Sequence, residues 1–422
     1  MSLEEEKPLK ILFITDNFPP EVNAPATRTY EHCKEWVQQG ADITIITCAP
    51  NFPHGRVFEG YRNRLYQTEN VEGMKVIRVW SYISANKGFA KRVLDYLSFA
   101  HSAFWAGLFQ DFDIVVATSP QFFTTWTGWA LSKAKKKPWI FELRDLWPES
   151  IKTVGAMKQG RAIEWLESIE LGLYRSCDRV VAVTDAFKEN LISRGIAPEK
   201  IEVVTNGSNM ELFFPREKDG EIVKRYGLEG KFVVGYIGTH GMAHSLDFVV
   251  NALTRVDDPE IVFLFIGDGA MKEEVVAQAK KLELTNALFL DPIPKEEVPR
   301  YLSCLDLSLA PLKRSDTFKT VIPSKIFEAS AMGKPTLLGV EGQAQRIIET
   351  YGAGLCFEPE NEDDFIGKLY RLKNDASLYS KAQKGCMELA KSFDRRRLAR
   401  KMYDILKETV SEADMKKGRR EP

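Results

Sequence analysis

The sequence predicts an α/β protein made of two doubly wound domains, each a parallel sheet covered by helices on both faces. Three observations lead there. Short β-branched runs alternate with amphipathic stretches along most of the chain. The runs are apolar almost throughout, as strands buried on both faces must be. The 422 residues exceed what one hydrophobic core organises.

In the first half the runs are KILFIT (10–15), DITIITC (42–48), MKVIRVW (74–80), DIVVAT (113–118), WIFELR (139–144), RVVAVT (179–184) and IEVVT (201–205). In the second half they are KFVVGYIG (231–238), EIVFLFIG (260–267), NALFL (286–290), DLSLAP (306–311), KPTLLG (334–339) and GAGLCF (352–357). Between the two series "NGSNMELFFPREKDG" (206–220) breaks the alternation with Asn-Gly, Pro and a cluster of charge. Residues 362–391 read as two helices and 392–410 as a basic amphipathic helix. The predicted domains are therefore 1–208 with 393–422, and 209–392. Doubly wound sheets bind ligands at the carboxyl ends of their strands, so the cleft between two such edges is the expected site.

Composition narrows the class. Hydrophobic residues make up 44% and charged residues 28%, an ordinary globular balance. A net charge of −1 gives none of the basic excess of a nucleic-acid binder. The six cysteines (33, 48, 177, 304, 356 and 386) show no C-x-x-C spacing and read as buried thiols of a reducing compartment. The N-terminal MSLEEEKPLK carries no apolar core of a signal peptide, and no apolar run reaches the length of a membrane span. The expectation is a soluble cytoplasmic protein.

The stretch "TVIPSKIFEASAMGKP" (320–335) carries the strongest chemical signal. Pro323 and Ser324 start a helix whose free N–H groups suit a diphosphate, with the Ser324 hydroxyl and Lys325 ammonium as extra donors. Glu328, one turn on, suits a bidentate grip on a ribose diol; the alternative is a surface glutamate paired with Lys325 or Lys334.

With "IGDG" (266–269), "GAGLCFEPENEDDF" (352–365) and "TNGSNMELFFP" (205–215), this stretch resembles the family 4 glycosyltransferases of the GT-B fold. "ITDNFPPEVNAPATRTYEHCKEW" and "FELRDLWPES" are similar to a bacterial O-antigen and capsule branch that includes L-fucosamine transferases. The resemblance runs from about residue 10 to about residue 405. It implies two facing Rossmann-like domains and a C-terminal helix crossing back to the first. It also implies a retaining, metal-independent transfer from a nucleotide sugar, with no cofactor.

The family's E-x7-E hallmark places its second glutamate at Glu328, implied to bind ribose; the first is replaced by Thr320. In "GYIGTHGMAHSLD" (235–247), Thr239 and His244 stand where relatives carry an Arg and a Lys for the diphosphate. Gly238 and Gly241 still permit close approach of phosphate. The charge is then expected from Lys325, with Lys313, Arg314, Lys319 and His240 in reserve. Ile293, after the run at 286–290, joins the donor side.

At the carboxyl end of the run at 139–144, Arg144, Asp145 and Glu149 are candidate catalytic groups, together with Asp16 in the first loop. An Arg144–Asp145 pair that merely closes the strand is the alternative. Asn17, Glu21, Asn23 and Arg28 of that loop are assigned to the acceptor. Asp111 and Asp113 form a D-x-D, but they precede their strand and read as a turn rather than a metal site. Residues 86–110 begin basic and turn aromatic, which suits either a helix on the inner face of the cell membrane or a core helix.

The expected donor is a UDP-linked, N-acetylated amino-deoxyhexose such as L-FucNAc. The expected acceptor is a sugar on undecaprenyl diphosphate. The rivals are a nucleotide-sugar 2-epimerase of the same architecture and a donor-binding scaffold.

Overall fold

A computed structural model describes residues 7–52, 55–83, 89–119, 121–146 and 161–419. Compact units comprise residues 1–205 with 396–422, and 206–395.

The first unit is an eight-stranded sheet. Its strands are β1 (Lys10–Ile14), β2 (Asp42–Cys48), β3 (Tyr66–Val71), β4 (Met74–Val79), β5 (Ile114–Thr118), β6 (Trp139–Leu143), β7 (Arg179–Ala182) and β8 (Ile201–Val203). Their order is β3-β4-β2-β1-β5-β6-β7-β8, parallel except for β3 against β4. β3 is the strand that the apolar-run criterion misses. Its residues YQTENV lie on the sheet edge and alternate between exposed and half-buried, so no apolar run marks it. Glu72 and Gly73, both at positive φ, make the tight turn back into β4.

Helices α1 (Ala24–Gln38), α2 (Phe89–Leu108), α3 (Phe122–Lys135), α4 (Arg161–Ser176) and α5 (Asp185–Ser193) complete the unit's N-terminal part. One face of the sheet is packed by Phe99 and Ala103 of α2, Leu131 of α3 and Tyr174 of α4. The other is packed by Trp36 of α1 and by Leu398, Met402, Tyr403 and Leu406, from a helix at the end of the chain. The Trp36 indole N–H donates to the Ala399 carbonyl at 2.8 Å, and Arg400 pairs with Glu35 at 2.9 Å, so the terminal helix is part of this core.

The second unit is a six-stranded parallel sheet of β9 (Phe232–Ile237), β10 (Ile261–Ile266), β11 (Ala287–Leu290), β12 (Leu307–Pro311), β13 (Thr336–Gly339) and β14 (Gly354–Cys356), in the order β11-β10-β9-β12-β13-β14. Its helices are α6 (Gly220–Tyr226), α7 (Leu246–Ala252), α8 (Lys272–Lys281), α9 (Val298–Ser303), α10 (Lys325–Ala331), α11 (Gln343–Tyr351), α12 (Glu362–Asn374) and α13 (Ala376–Ser392); the terminal helix of the first unit is α14 (Arg395–Gly418). In both sheets the chain order reverses once beside the first strand, between β1 and β5 and between β9 and β12. The loops leaving those strands diverge there and open a crevice at the carboxyl edge.

Two ion-paired groups bracket the first sheet. At the amino ends of its strands, Lys10 pairs with Asp111 at 2.7 Å and Lys137 with Asp113 at 3.2 Å, so the D-x-D is a turn held by lysines. At the carboxyl end, Arg28 is buried, and its Nε donates to Glu142 Oε1 at 2.9 Å. Its other nitrogens donate to the carbonyls of Thr205 at 2.6 Å and Val204 at 2.8 Å. The pair ties α1, β6 and the segment after β8 together. Burial alone would raise the Glu142 pKa, but Arg28 and then Arg144 outweigh it, and the carboxyl stays below its usual range. Arg28→Ala leaves that carboxylate buried without its partner. It is expected to lower unfolding stability by about 3–5 kcal/mol in urea denaturation, against about 1 kcal/mol or less for an exposed pair such as Lys34–Glu72.

Candidate functional site

In the second unit, the loop leaving β9 runs through Gly238, Thr239, His240 and Gly241, beside the loop Gly267-Asp268-Gly269 leaving β10. The two loops meet backbone to backbone. The His240 N–H donates to the Asp268 carbonyl at 2.8 Å, and the Met271 N–H to the His240 carbonyl at 2.9 Å. A Cβ on Gly267 would lie 1.9 Å from the Gly238 carbonyl oxygen, and one on Gly269 would lie 2.5 Å from that of His240. This close approach accounts for the glycines of "IGDG": they admit a neighbouring backbone. Lys272 fastens the arrangement, donating to the carbonyls of Gly267 at 2.9 Å and Leu290 at 2.5 Å.

Against this loop stands Lys325, the first residue of α10. Its ammonium lies 3.4 Å from the centre of the Tyr236 ring and 3.3 Å from where a Gly238 Cβ would be. It is buried and has no hydrogen-bond partner. Burial pulls its pKa down to about 7, with Glu328 opposing. His240 is fully buried with both ring nitrogens unpartnered, and His244 Nδ1 is in the same condition. Burial brings both imidazoles to about 4, with nearby lysines contributing, so they are neutral at pH 7. The Tyr236 hydroxyl donates to the Thr239 carbonyl at 2.5 Å, fixing the ring beneath the ammonium. A desolvated lysine with no hydrogen-bond partner, beside glycine backbone at a switch point, can receive an anion with several oxygens.

The other donor-side assignments fall around it. Glu328 is half-buried on α10, one turn from Lys325. Ser324 does not cap the helix through its side chain; its own backbone is already helical, and the hydroxyl makes no cap bond. Thr320 closes a short 3-10 turn, and its hydroxyl donates to the Thr317 carbonyl at 3.0 Å. Ile293 is half-buried and packs on the same core cluster as Leu288 and Leu290. Of the reserve cations, Arg314 is paired with Glu358 at 2.9 Å, and Lys319 with Asp316 at 2.7 Å. Lys325 differs from these two in that its ammonium is buried without a hydrogen-bond partner, with Glu328 acting on it only through its charge.

The switch point of the first unit is acidic instead. Asp16 leaves β1, half-buried, with Gln121 from the β5–α3 connection and Arg144 from the end of β6 beside it. Burial raises the Asp16 pKa, opposed by a hydrogen bond from Asn17, by backbone and Arg144, and by Gln121. Asp95 of α2 is raised to about 7 by burial and by the charge of Asp16. Ser119 Oγ accepts from the backbone N–H groups of Arg144 at 2.8 Å and Asp145 at 3.3 Å, shaping the end of β6. Arg144 also donates to the Pro25 carbonyl at 3.2 Å. Glu149 lies outside the described residues.

The acceptor-side assignments need correction. Arg28 is engaged with Glu142 and two carbonyls, as described. Glu21 is buried and accepts from the N–H groups of Asn51 at 2.7 Å and Phe52 at 2.8 Å, with burial raising its pKa. Asn23 is the N-cap of α1, accepting from the Ala26 N–H at 2.9 Å while its amide donates to Asn17. Glu21, Asn23 and Arg28 therefore build the loop, leaving Asp16 and Asn17 as its polar face. Asp95, Gln121 and Tyr236 escape a reading of sequence alone. The first lies inside a helix, the second in a loop whose strand was not known to flank the reversal, and the third inside an apolar run.

Comparison with known proteins places both units. Residues 25–212 match the model "Glycosyltransferase Family 4" and residues 219–418 match "Glycosyl transferases group 1". Among curated relatives, WcaI of Escherichia coli (strain K12), named for colanic acid biosynthesis as a glycosyl transferase, is 24% identical over 85% of this chain and 90% of its own. TuaH of Bacillus subtilis (strain 168), named for teichuronic acid biosynthesis, is 29% identical over 47% of this chain and 49% of its own. Among solved structures, Anabaena Alr3699/HepE in complex with UDP and glucose superposes with a TM-score of 0.71 at 17% identity, covering 94% of this chain and 99% of that one. Sucrose-phosphate synthase from Thermosynechococcus elongatus gives 0.74 at 16% identity, covering 96% and 100%. The fold is GT-B, and the chain belongs to the glycosyltransferases, a family 4 domain followed by a group 1 domain.

Proposed function

We propose that this glycosyltransferase moves a sugar from a UDP-sugar to a lipid-diphosphate-linked acceptor sugar in bacterial surface polysaccharide synthesis. The observation that carries the donor half is the buried, unpartnered Lys325 ammonium at Gly238, one helical turn from Glu328. The diphosphate would lie on Lys325 and the Gly238–Gly241 backbone, with the ribose diol on Glu328. The UDP bound in the Anabaena neighbour and the colanic and teichuronic acid names of the relatives support the same reading. The donor sugar is read as an N-acetylated amino-deoxyhexose, L-FucNAc in the branch the sequence resembles.

The reaction is read as retaining and metal-independent. The C1–O bond to the β-phosphate breaks, the acceptor hydroxyl attacks the same face, and its proton passes to the departing phosphate oxygen. Lys325, rather than a cation bridging the phosphates, meets the leaving-group charge, and that is where transition-state stabilisation is needed. With Thr320 in place of a carboxylate, no acidic side chain at that position meets the sugar. Asp16 and Asp95, both raised by burial, suit hydrogen bonding to acceptor hydroxyls in either protonation state.

The surface of the first unit agrees with a lipid-linked acceptor. Helix α2 buries Phe99, Ala103 and Ala106, and so covers the sheet as a core helix does. It also turns Leu94, Leu97, Trp105 and, just beyond its end, Phe109 to solvent, with Lys91 exposed at its start. Such a stripe suits the membrane interface. Among the described residues no helix is long and apolar enough to cross a membrane.

Two measurements test the donor site, and one more tests the rival epimerase activity. Glu328→Ala and Lys325→Met are each expected to weaken UDP binding about tenfold or more by calorimetry, the loss of a charge-assisted contact. An unchanged affinity in either would remove that residue from the site. The same protein, given UDP-GlcNAc without acceptor, is expected not to form the 2-epimer; its appearance by NMR would establish the epimerase. The second measurement concerns pH. With a free-state pKa of about 7, Lys325 is largely neutral at pH 8.5, and the diphosphate must draw a proton to it. UDP affinity should therefore fall as pH rises above about 7, with proton uptake on binding, and the slope should vanish in Lys325→Met. In the unliganded protein the sign is the reverse. The unfolded chain holds this proton up to about pH 10.5, so the stability cost of Lys325 is greatest below pH 7 and is relieved as pH rises toward 10.5.

A further inference from the structure

A cavity of about 510 Å³ opens beside the β3–β4 hairpin of the first unit, lined by none of the residues assigned above. Tyr61, Arg62, Arg64, Gln67, Glu69 and Arg78 form most of its wall. Three guanidinium groups face one carboxylate, so the cavity is positive. Arg78 is its floor. It is almost fully buried, its Nε donates to Glu69 at 2.7 Å, and its other nitrogens donate to the carbonyls of Cys48 at 3.0 Å and Pro19 at 2.6 Å. The Tyr61 ring lies against it, 5.0 Å from centroid to guanidinium carbon. Glu69 is thereby neutralised. Arg62 and Arg64 are exposed, and among the described residues neither has an ion-pair partner.

The segment that carries them is held in place. Asn63 exchanges hydrogen bonds with Ser81, donating to its carbonyl at 2.7 Å and accepting from its N–H at 3.3 Å. The Arg62 carbonyl accepts from the Arg64 N–H at 3.1 Å and from Gln67 Nε2 at 3.0 Å. Two free guanidinium groups on a pinned segment are pre-organised for an anion with several oxygens. The apolar rim narrows the anion further. Leu65, directly after Arg64, is 82% exposed, and Trp80 is exposed beside it, the Trp80 N–H reaching the Leu65 carbonyl at 3.4 Å. A positive cavity with an apolar edge fits an amphiphile whose head is phosphate.

We propose that this cavity holds the phosphate or diphosphate of the lipid-linked acceptor, with the lipid chain over Leu65 and Trp80; this rests on the glycosyltransferase reading above. The connection to the reaction lies in Arg78. Pro19, whose carbonyl it binds, belongs to the loop that bears Asp16, and Cys48, whose carbonyl it also binds, donates its thiol to the Asp16 carbonyl at 3.2 Å. The cavity floor and the acceptor-side carboxylate share one hydrogen-bonded frame. Phosphate bound at Arg62 and Arg64 would position the acceptor sugar relative to Asp16, so both arginines are positioning residues for acceptor.

The test uses the full chain saturated with UDP, so that the donor's own diphosphate site is occupied. Geranylgeranyl diphosphate, below its micelle concentration, is titrated against wild type, R62A/R64A and R62K/R64K, with inorganic pyrophosphate and geranylgeraniol as the separate halves of the ligand. R62A/R64A is expected to bind the lipid diphosphate about tenfold or more weakly, as for two lost charge-assisted contacts, and the lysine pair to recover part of it. UDP affinity should be the same in all three, which shows that the exposed substitutions leave the fold intact. Each half-ligand should bind about tenfold or more weakly than the whole. Equal binding of the lipid diphosphate to wild type and R62A/R64A overturns the proposal, and pyrophosphate binding as tightly as the lipid diphosphate overturns its lipid part. Failure of UDP to bind at all would instead count against the donor reading; the titration without UDP still reads this cavity.

Discussion

A buried ammonium without an anion is the constraint around which the second unit's site is built. Desolvating Lys325 costs free energy that the unliganded protein does not recover through hydrogen bonds; the Tyr236 face below it supplies only a weak, directional attraction. Such an arrangement persists because the loops around it are over-determined. The β9 and β10 loops lock through backbone contacts that only glycine admits, and Lys272 closes them from the side. The rigid frame keeps water from reorganising around the charge, which leaves it strong toward any anion that enters.

The first unit handles buried charge by the opposite means. Arg28 and Glu142 satisfy one another and two carbonyls, and the result is a brace. Asp16 and Asp95 lack a full counterpart, so their pKa values move up instead of their charges being met. The difference separates structure from chemistry among residues that a linear reading groups together. Glu21, Asn23 and Arg28 look like ligand contacts because they are polar and sit in a strand-end loop. Their hydrogen bonds turn inward and hold the shape that presents Asp16.

The fold was legible from apolar runs because parallel strands covered on both faces leave such runs wherever they occur. β3 escaped because an edge strand in a hairpin need bury only one side, and its pattern is exposed and half-buried in alternation. The candidate site was partly legible: Lys325 and Glu328 stand on a seven-residue helix that is otherwise largely buried, where a charge demands a reason. Tyr236 was hidden because an aromatic at the end of an apolar run looks like core, and here it is both core and platform. Gln121 and Asp95 were hidden for a different reason. Their roles depend on β5 lying next to β1 and on α2 packing over the same edge, and strand order is not written in any local stretch.

Thr320 gives the sharpest consequence of this division. A carboxylate at that position would add negative charge to the segment leading into α10. A threonine whose hydroxyl is engaged by its own turn does not. The free-state lysine is then set by burial and falls toward neutrality, with Glu328 as the one opposing influence. In the proposed site, charging it becomes part of binding the diphosphate. On the proposed placement, the diphosphate and ribose meet Lys325 and Glu328, and no acidic side chain at position 320 is available to the sugar.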